Sequence, residues 1–571
     1  MNEEGTFNFN LMSARRVLRA YWRLAVAPLL FYVAWFFLLT FPLVLQFNTA
    51  YFTDREFDGY GTIWDLWYFR QALLRHQNPF FTRMVQFPQG TSLLIHMLMP
   101  INGVLCIALM VPLSQIQALN VLVILAFAGS GLTAFWLCLR ATRSYWASLA
   151  GGFSFAFCSY RWAHYRGHLM LISTQWMVLY LLGVLAMLAA PRMAKAIATS
   201  GALLLVLLCD QYQFLFCVMA TVVILLWWAV KRLAPRDEPR SSIRAYLPVF
   251  AAFAVTTAVS CGPIVLAMTR EARRAPLLNT HDADLFSADL IAPWVPDWTW
   301  LYSSLTSRIW MPLLTASYLE KAVCLGPAVV VAAMFAFIPG KGRPRLALGS
   351  TPLFGILALL FLLLCFGPVW RFWTIPITTL TPYRGLVAIF PFLRVAGSVS
   401  RFIIVTQLAI AVLAAAGMSR IGNISSRSGR VLLIIVMGVT LVIESQGQVP
   451  PVCDPAVPKW VQVLRDAPGQ GAVIDLMYGD QSIDLYYQTV HRRPIAMGHL
   501  SRLSADTAAA TAGVVDDVRY GRYDSLARMG FAYLVTYPID STLSLPVYYA
   551  DQAARVYRLP RAQVMPTGAV R

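Results

Sequence analysis

Four acids crowd one short stretch, Asp54, Glu56, Asp58 and Asp65, interleaved with Phe52, Phe57, Tyr60, Trp64 and Trp67. A carboxylate beside aromatics and partly shielded from water is expected to have a raised pKa and to accept a proton from a hydroxyl. The plainer role for such acids is solvation of a loop. A second stretch, 159–176, holds Tyr160, Arg161, His164, Arg166 and His168. His164 and His168 are four apart and share a face if the segment is helical. As metal ligands they lack the acid of an H-E-x-x-H pair and a nearby third ligand. Imidazoles with two arginines and a tyrosine fit contact with a phosphate or other substrate group, and packing is the third role. No cofactor is assigned, and a divalent metal stays open. Two further groups are Asp289, in a loop that also holds Asp282, Asp284 and Asp297, and the run Tyr383-Arg384…Arg394…Arg401. Those arginines suit forked hydrogen bonds to a lipid-linked phosphate, or anchoring in lipid headgroups. Asp210-Gln-Tyr212-Gln is polar between two apolar runs and is a candidate by position alone.

The elements that must position these groups are membrane helices. Of the 571 residues, 58% are apolar and 13% charged, against roughly 25% charged in soluble domains, and the mean hydropathy is +0.61. Runs such as Leu24–Leu45, Ala118–Leu139 and Leu247–Leu266 reach the ~20 residues that cross a bilayer as helix. The net charge of +19 sits largely in short loops, as the positive-inside rule places it, and no basic stretch with interleaved aromatics forms a nucleic-acid module.

Basic clusters at Arg140/Arg143, Arg192/Lys195, Lys231–Arg244, Lys341–Arg345 and Arg420–Arg430 are set inside with the N-terminus. Arg15, Arg16, Arg19 and Arg23 precede a first span read as a retained signal anchor. This predicts eleven spans, near 24–45, 118–139, 145–158, 172–190, 196–209, 214–231, 246–268, 321–338, 352–370, 399–418 and 431–445. Met97–Leu113, short and holding Pro100 and Pro112, is expected not to cross. The N-terminus is then cytoplasmic, the C-terminus extracytoplasmic, and all seven histidines fall on the outer face. Residues Ile63–Leu74 are expected to form an amphipathic helix at the membrane surface, with tryptophan at headgroup depth.

The expected architecture is therefore an all-α polytopic transmembrane helix bundle, residues 1–446, with a large first outer loop at 46–97. A Pro-rich linker near 447 leads to a small soluble α/β domain, 447–571. Within it Trp460–Asp466 and Asp524–Gly530 read as helices, and Ala472–Leu476 and Phe531–Thr536 as strands. Nine cysteines show no CxxC spacing and suggest no disulfide framework. Walker, G-x-G-x-x-G, G-x-S-x-G and zinc signatures are absent from the sequence, so soluble nucleotide chemistry is unsupported.

With this layout, the strings Asp58-Gly…Trp64-Asp-Leu-Trp67-Tyr-Phe-Arg70, Asn78-Pro79-Phe-Phe, Tyr160-Arg161…His164…Gly167-His168 and Tyr486-Tyr487-Gln488…His491…Gly498-His-Leu-Ser501-Arg502 resemble a bacterial branch of the GT-C integral membrane glycosyltransferases. The resemblance implies inverting transfer of a hexosyl or pentosyl group from a polyprenyl-phosphate donor to a glycan, lipid or protein acceptor. The reaction would lie on the outer face of the cell inner (plasma) membrane. It further implies a first-loop acid as general base, Asp58 with Asp54 next. Arg384, Arg394 and Arg401, or Arg161 and His168, would lie near the phosphate, and Gln488 and His491 on the acceptor side. A lipid transporter or flippase, with broken helices near mid-membrane, and a non-catalytic assembly protein are the competing classes.

Overall fold

A computed structural model describes residues 16–55, 58–96, 98–233, 243–278, 281–314, 318–338, 351–421, 426–449, 451–469, 471–476, 481–537 and 543–560. Glu56 and Phe57, the basic cluster 341–345 and parts of the clusters at 231–244 and 420–430 lie outside the described residues.

The helices in chain order are α1 (Arg16–Leu39), α2 (Gly59–Leu74), α3 (Pro100–Leu109), α4 (Gln115–Thr142), α5 (Tyr145–Ala156), α6 (Ser159–His164), α7 (Gln175–Ala189), α8 (Met193–Leu207), α9 (Gln211–Leu233), α10 (Leu247–Arg274), α11 (Pro327–Met334), α12 (Thr351–Cys365), α13 (Pro382–Ile389), α14 (Ile403–Ile421) and α15 (Arg427–Glu444). Four more, α16 (Lys459–Asp466), α17 (Gln481–His491), α18 (Ala505–Arg519) and α19 (Tyr523–Arg528), belong to the C-terminal part. Among the described residues, six helices are long and apolar enough to cross a membrane: Arg16–Leu39, Gln115–Thr142, Leu169–Ala189, Gln211–Arg232, Ile243–Arg274 and Val399–Arg420. Helix α3, ten residues, reaches only about 15 Å at 1.5 Å per residue. Asp210 lies in the turn between α8 and α9, where its carboxylate accepts from Gln213 N at 2.6 Å, and is not a break within one helix.

Helices α4, α5 and α14 pack together at the centre, and small residues let them approach. A Cβ on Gly151 would fall 2.8 Å from Cys138 Sγ and 3.0 Å from the Ala411 carbonyl oxygen, and one on Gly417 1.8 Å from the Ala332 carbonyl.

Helix α2 corrects an expectation. It is a helix, but not a one-sided one: Tyr60, Ile63, Trp64, Leu66, Trp67, Tyr68 and Phe69 are all buried in protein. Its apolar side chains run through consecutive positions and cover every face, which is the pattern of a helix enclosed by protein. One partner is α17: Tyr60 stacks on Tyr486 with ring centroids 5.2 Å apart, and Trp64 Nε1 donates to Gln488 Oε1 at 2.6 Å.

The C-terminal part contains a four-stranded sheet in the order β4-β6-β8-β7, where β4 is Ala472–Asp475, β6 Phe531–Thr536, β7 Val547–Ala550 and β8 Arg555–Arg558. Strand β4 runs parallel to β6 and the other pairs are antiparallel. Ile474, Val514, Leu526, Phe531 and Leu534 fill one side of this sheet. Trp460, Leu485, Tyr487 and Val535 on the other side belong to the same core as the helix bundle. A strap follows α17. Ile495 N donates to the Met84 carbonyl at 2.8 Å, Gln86 Nε2 to the Gly498 carbonyl at 3.1 Å, and His96 Nδ1 meets Ser501 Oγ at 3.0 Å. The strap ends as β5 (Leu503–Ser504), antiparallel to β1 (Leu277–Leu278) just beyond α10.

Candidate active site

Asp58 is the residue before the first turn of α2, and its carboxylate does not cap that helix. Two glycines bring it against the segment after α6. A Cβ on Gly59 would strike the Asp54 carbonyl oxygen at 1.9 Å, and one on Gly167 would lie 2.7 Å from Gly59 N. Thr62 Oγ1 donates to the Gly167 carbonyl at 2.5 Å across the same contact. The Asp58 carboxylate thereby reaches His168, with Oδ2 2.8 Å from Nε2, and faces His499 of the strap, with Oδ1 3.6 Å from Nε2. It keeps 26% of its side-chain surface exposed. Behind it, His168 Nδ1 and His164 Nδ1 are 3.2 Å apart, and the His164 ring meets Tyr160 edge-on at 4.3 Å.

The charge state of Asp58 departs from expectation. Burial pushes its carboxyl up, but the His168 hydrogen bond and the charges of His168, His499 and Arg401 outweigh it, holding the group well below the usual carboxylate range. Burial alone, the half of that balance the sequence shows, would raise it. Burial also holds His164 far below the ordinary imidazole value, so it stays neutral. With His164 neutral, one ring proton lies between the two Nδ1 atoms, and His168 Nε2 donates to the ionised Asp58.

A second group lies alongside. Arg401 grips Glu320 with Nη2–Oε1 2.5 Å and Nε–Oε1 3.0 Å, both side chains under one-tenth exposed, and its guanidinium sits 4.6 Å above the Tyr212 ring. Burial raises the Glu320 carboxyl, and the charge and hydrogen bonds of Arg401 more than reverse that. Asp210 is pushed up by burial to about 6, partly countered by the Gln213 amide and the charges of Arg401 and His168. Arg502 of the strap stands beside Tyr212 and Arg401. His281 bonds Ser398 Oγ at 2.5 Å and is drawn down to about 4 by burial and by Arg401 and Arg502. The site therefore places one ionised carboxylate against His168 and His499, with the charge of Arg401 close by and Arg502 beside Arg401.

The other expected residues fall elsewhere. Asp54 is fully buried and pairs with Arg166 at 2.7 Å. Arg161 spends its donors on the carbonyls of Ala156, Ala126 and Ile172 and the hydroxyls of Ser130 and Thr174, with its plane over Phe127 at 4.7 Å. It pins the segment 159–174 to α4 and offers nothing to an anion. Asp289 accepts from the backbone N–H groups of Ile291, Trp373 and Thr374 and shapes a loop. Tyr383 is buried beside Tyr212 and Arg394, while Arg384 and Arg394 are exposed. Gln488 and His491 are buried in the joint between α17 and the bundle; His491 Nδ1 accepts from Arg493 N at 3.1 Å. His499 and Arg502, in the motif noted in the sequence, take the facing position instead, and Glu320 and His281 had gone unremarked. Among the described residues, no group of three or more His, Cys, Asp or Glu side chains is placed to hold a metal ion.

A family profile described as Domain of unknown function (DUF6311) matches residues 29–442. No curated protein sequence matches the chain. Among solved structures, the arabinofuranosyltransferase AftD from Mycobacteria superposes with a TM-score of 0.56 at 14% identity, covering 95% of this chain and 40% of that one. ArnT from Cupriavidus metallidurans, bound to undecaprenyl phosphate, gives 0.48 at 13% identity, covering 94% and 98%. The chain thus spans about two fifths of AftD and shares its fold. By the match over residues 29–442, the chain belongs to the family described as Domain of unknown function (DUF6311).

Proposed function

We propose that the chain transfers a sugar from a polyprenyl-phosphate donor to an acceptor hydroxyl on the extracytoplasmic face, with inversion and with Asp58 as general base. The observation that carries this is the Asp58 carboxylate, ionised and partly exposed, held by His168 and facing His499 and the Arg401–Arg502 wall. Oδ2 is engaged by His168, so Oδ1 is the atom that takes the acceptor proton. The acceptor oxygen then forms its bond to the anomeric carbon as the bond from that carbon to the phosphate oxygen breaks. A carboxylate of lowered pKa is a weak base at rest; it takes the proton as the hydroxyl acidifies in the transition state. Negative charge growing on the departing phosphate falls toward Arg502 and Arg401, which a dry site makes effective.

The likeness to an arabinofuranosyltransferase supports sugar transfer, the GT-C resemblance of the sequence supports a lipid-linked donor and a hexosyl or pentosyl group, and the placement of the basic loops supports eleven crossings of the inner membrane with the C-terminal part outside. The test is Asp58→Asn at normal expression in a deletion strain. Mass spectrometry of surface glycans and lipid-linked sugars should show the strain's missing product restored by the parent gene and not by the variant. Full restoration by Asp58→Asn would overturn the assignment.

A further inference from the structure

Between α12 and α14 the chain builds a small module whose apolar side chains face outward. Strands β2 (Trp370–Phe372) and β3 (Ile375–Thr378) form an antiparallel hairpin, and α13 follows. Ile375, Ile377 and Leu380 are 66%, 59% and 91% exposed, and Ile389 at the end of α13 is 71% exposed. Phe372, Trp373 and Phe390 add exposed aromatic surface to the same module.

The module is firmly held. Arg371 makes a forked pair with Asp284, both bonds 2.6 Å, and Asp289 accepts from the backbone N–H groups of Trp373 and Thr374 at the hairpin tip. Thr381 Oγ1 accepts from Arg384 N at the start of α13, and Tyr383 faces inward. Side chains this apolar on a fixed scaffold need a neighbour other than water. The position of the module says which. It begins five residues after Cys365, where the apolar helix α12 ends, and it is tied to Asp284 and Asp289 of the loop that also carries Glu320. From Gly367 to Arg401 there is no acid, while there are four arginines, at 371, 384, 394 and 401. Aromatics with aliphatics at a helix end and cations without acids suit the boundary of an anionic bilayer.

We propose that residues 370–390 are a membrane-dipping anchor, seated in the outer leaflet beside the candidate active site, with exposed Arg384 and Arg394 held among lipid phosphates. The anchor depends on the chain's lying in a membrane and not on what it transfers. It also gives those two arginines a role apart from Arg401, which is buried with Glu320.

The native cysteines are buried, except half-buried Cys158, so an introduced surface thiol can be labelled selectively. Leu380→Cys and Ile389→Cys, each carrying an environment-sensitive fluorophore, are compared in proteoliposomes of phosphatidylethanolamine and phosphatidylglycerol with Tyr520→Cys, an exposed position on α18's flank (67% exposed). Labels at 380 and 389 should be quenched by nitroxide-bearing acyl chains and protected from aqueous iodide by at least about fivefold relative to 520. Equal iodide quenching at 380, 389 and 520 would overturn the anchor. So would quenching by neither agent, since a protein surface would then cover the patch.

Discussion

Gln488 joins the two halves of the molecule, and its replacement has a calculable effect. Its carboxamide accepts from Trp64 Nε1 at 2.6 Å and donates to the carbonyls of Met84 at 2.5 Å and Arg493 at 2.9 Å, all in a fully buried position. In Gln488→Leu the Met84 carbonyl keeps its bond from Ile495 N, so the buried groups losing this partner are the Trp64 indole N–H and the Arg493 carbonyl. Each such loss costs roughly 1–3 kcal/mol, giving about 2–6 kcal/mol against docking. At 1.4 kcal/mol per tenfold, the middle of that range multiplies the undocked population by several hundred. Cys453 is a built-in reporter, being wholly buried and bridged to Tyr51 beneath the joint. Its modification by a membrane-impermeant maleimide, located by peptide mass spectrometry, should quicken by two orders of magnitude or more in Gln488→Leu. A rate within twofold of the parent would refute the account of the joint.

Removing the donor to Asp58 with His168→Leu forfeits a charge-assisted bond worth about 1.5–3 kcal/mol, or one to two pH units at 1.36 kcal/mol each. The Asp58 carboxyl is depressed in the folded protein, so its base form is present above that pKa and lost as pH falls through it. The acid limb of transfer activity should therefore move up by one to two units, and an unmoved limb would detach His168 from Asp58. Glu320→Gln strands the Arg401 charge and should lower stability in detergent by roughly 3–5 kcal/mol, whereas Glu320→Leu with Arg401→Met should recover most of it and remain inactive. Thermal unfolding of the single and paired variants separates these outcomes. Arg161→Met, which uncaps three carbonyls, should cut the yield of folded protein yet leave KM for the lipid donor unchanged; a raised KM would restore Arg161 to the phosphate site.

The helices were legible because lipid leaves an apolar run one way to satisfy its backbone. Strand Phe531–Thr536 was legible through its bounding turn. Asp58 and His168 were legible as chemical types, but their meeting rests on Gly59 and Gly167, whose contact is tertiary and leaves no pattern in sequence. Arg161 misled because a guanidinium reads alike whether carbonyls or an anion fill its donors. Gln488 and His491 were favoured over His499 and Arg502 since nothing in the spacing reveals that α17 stops at His491. There Arg492 takes φ of 60° and turns the chain into the strap. Helix α2 reads as a one-sided surface helix because Ile63, Trp64, Trp67 and Tyr68 fit that spacing; Leu66 and Phe69, equally buried, complete the circle.

The joint at Gln488 and the strap after it also order events during synthesis. Trp64 must wait for a partner 424 residues downstream, which at ~5–20 residues per second is roughly 20–85 s of translation. Through that interval Asp58 stands without the segment that carries His499 and Arg502. A half-made chain thus displays Asp58 but lacks its opposing wall, and the site stays incomplete until the C-terminal part has been made and has closed over it.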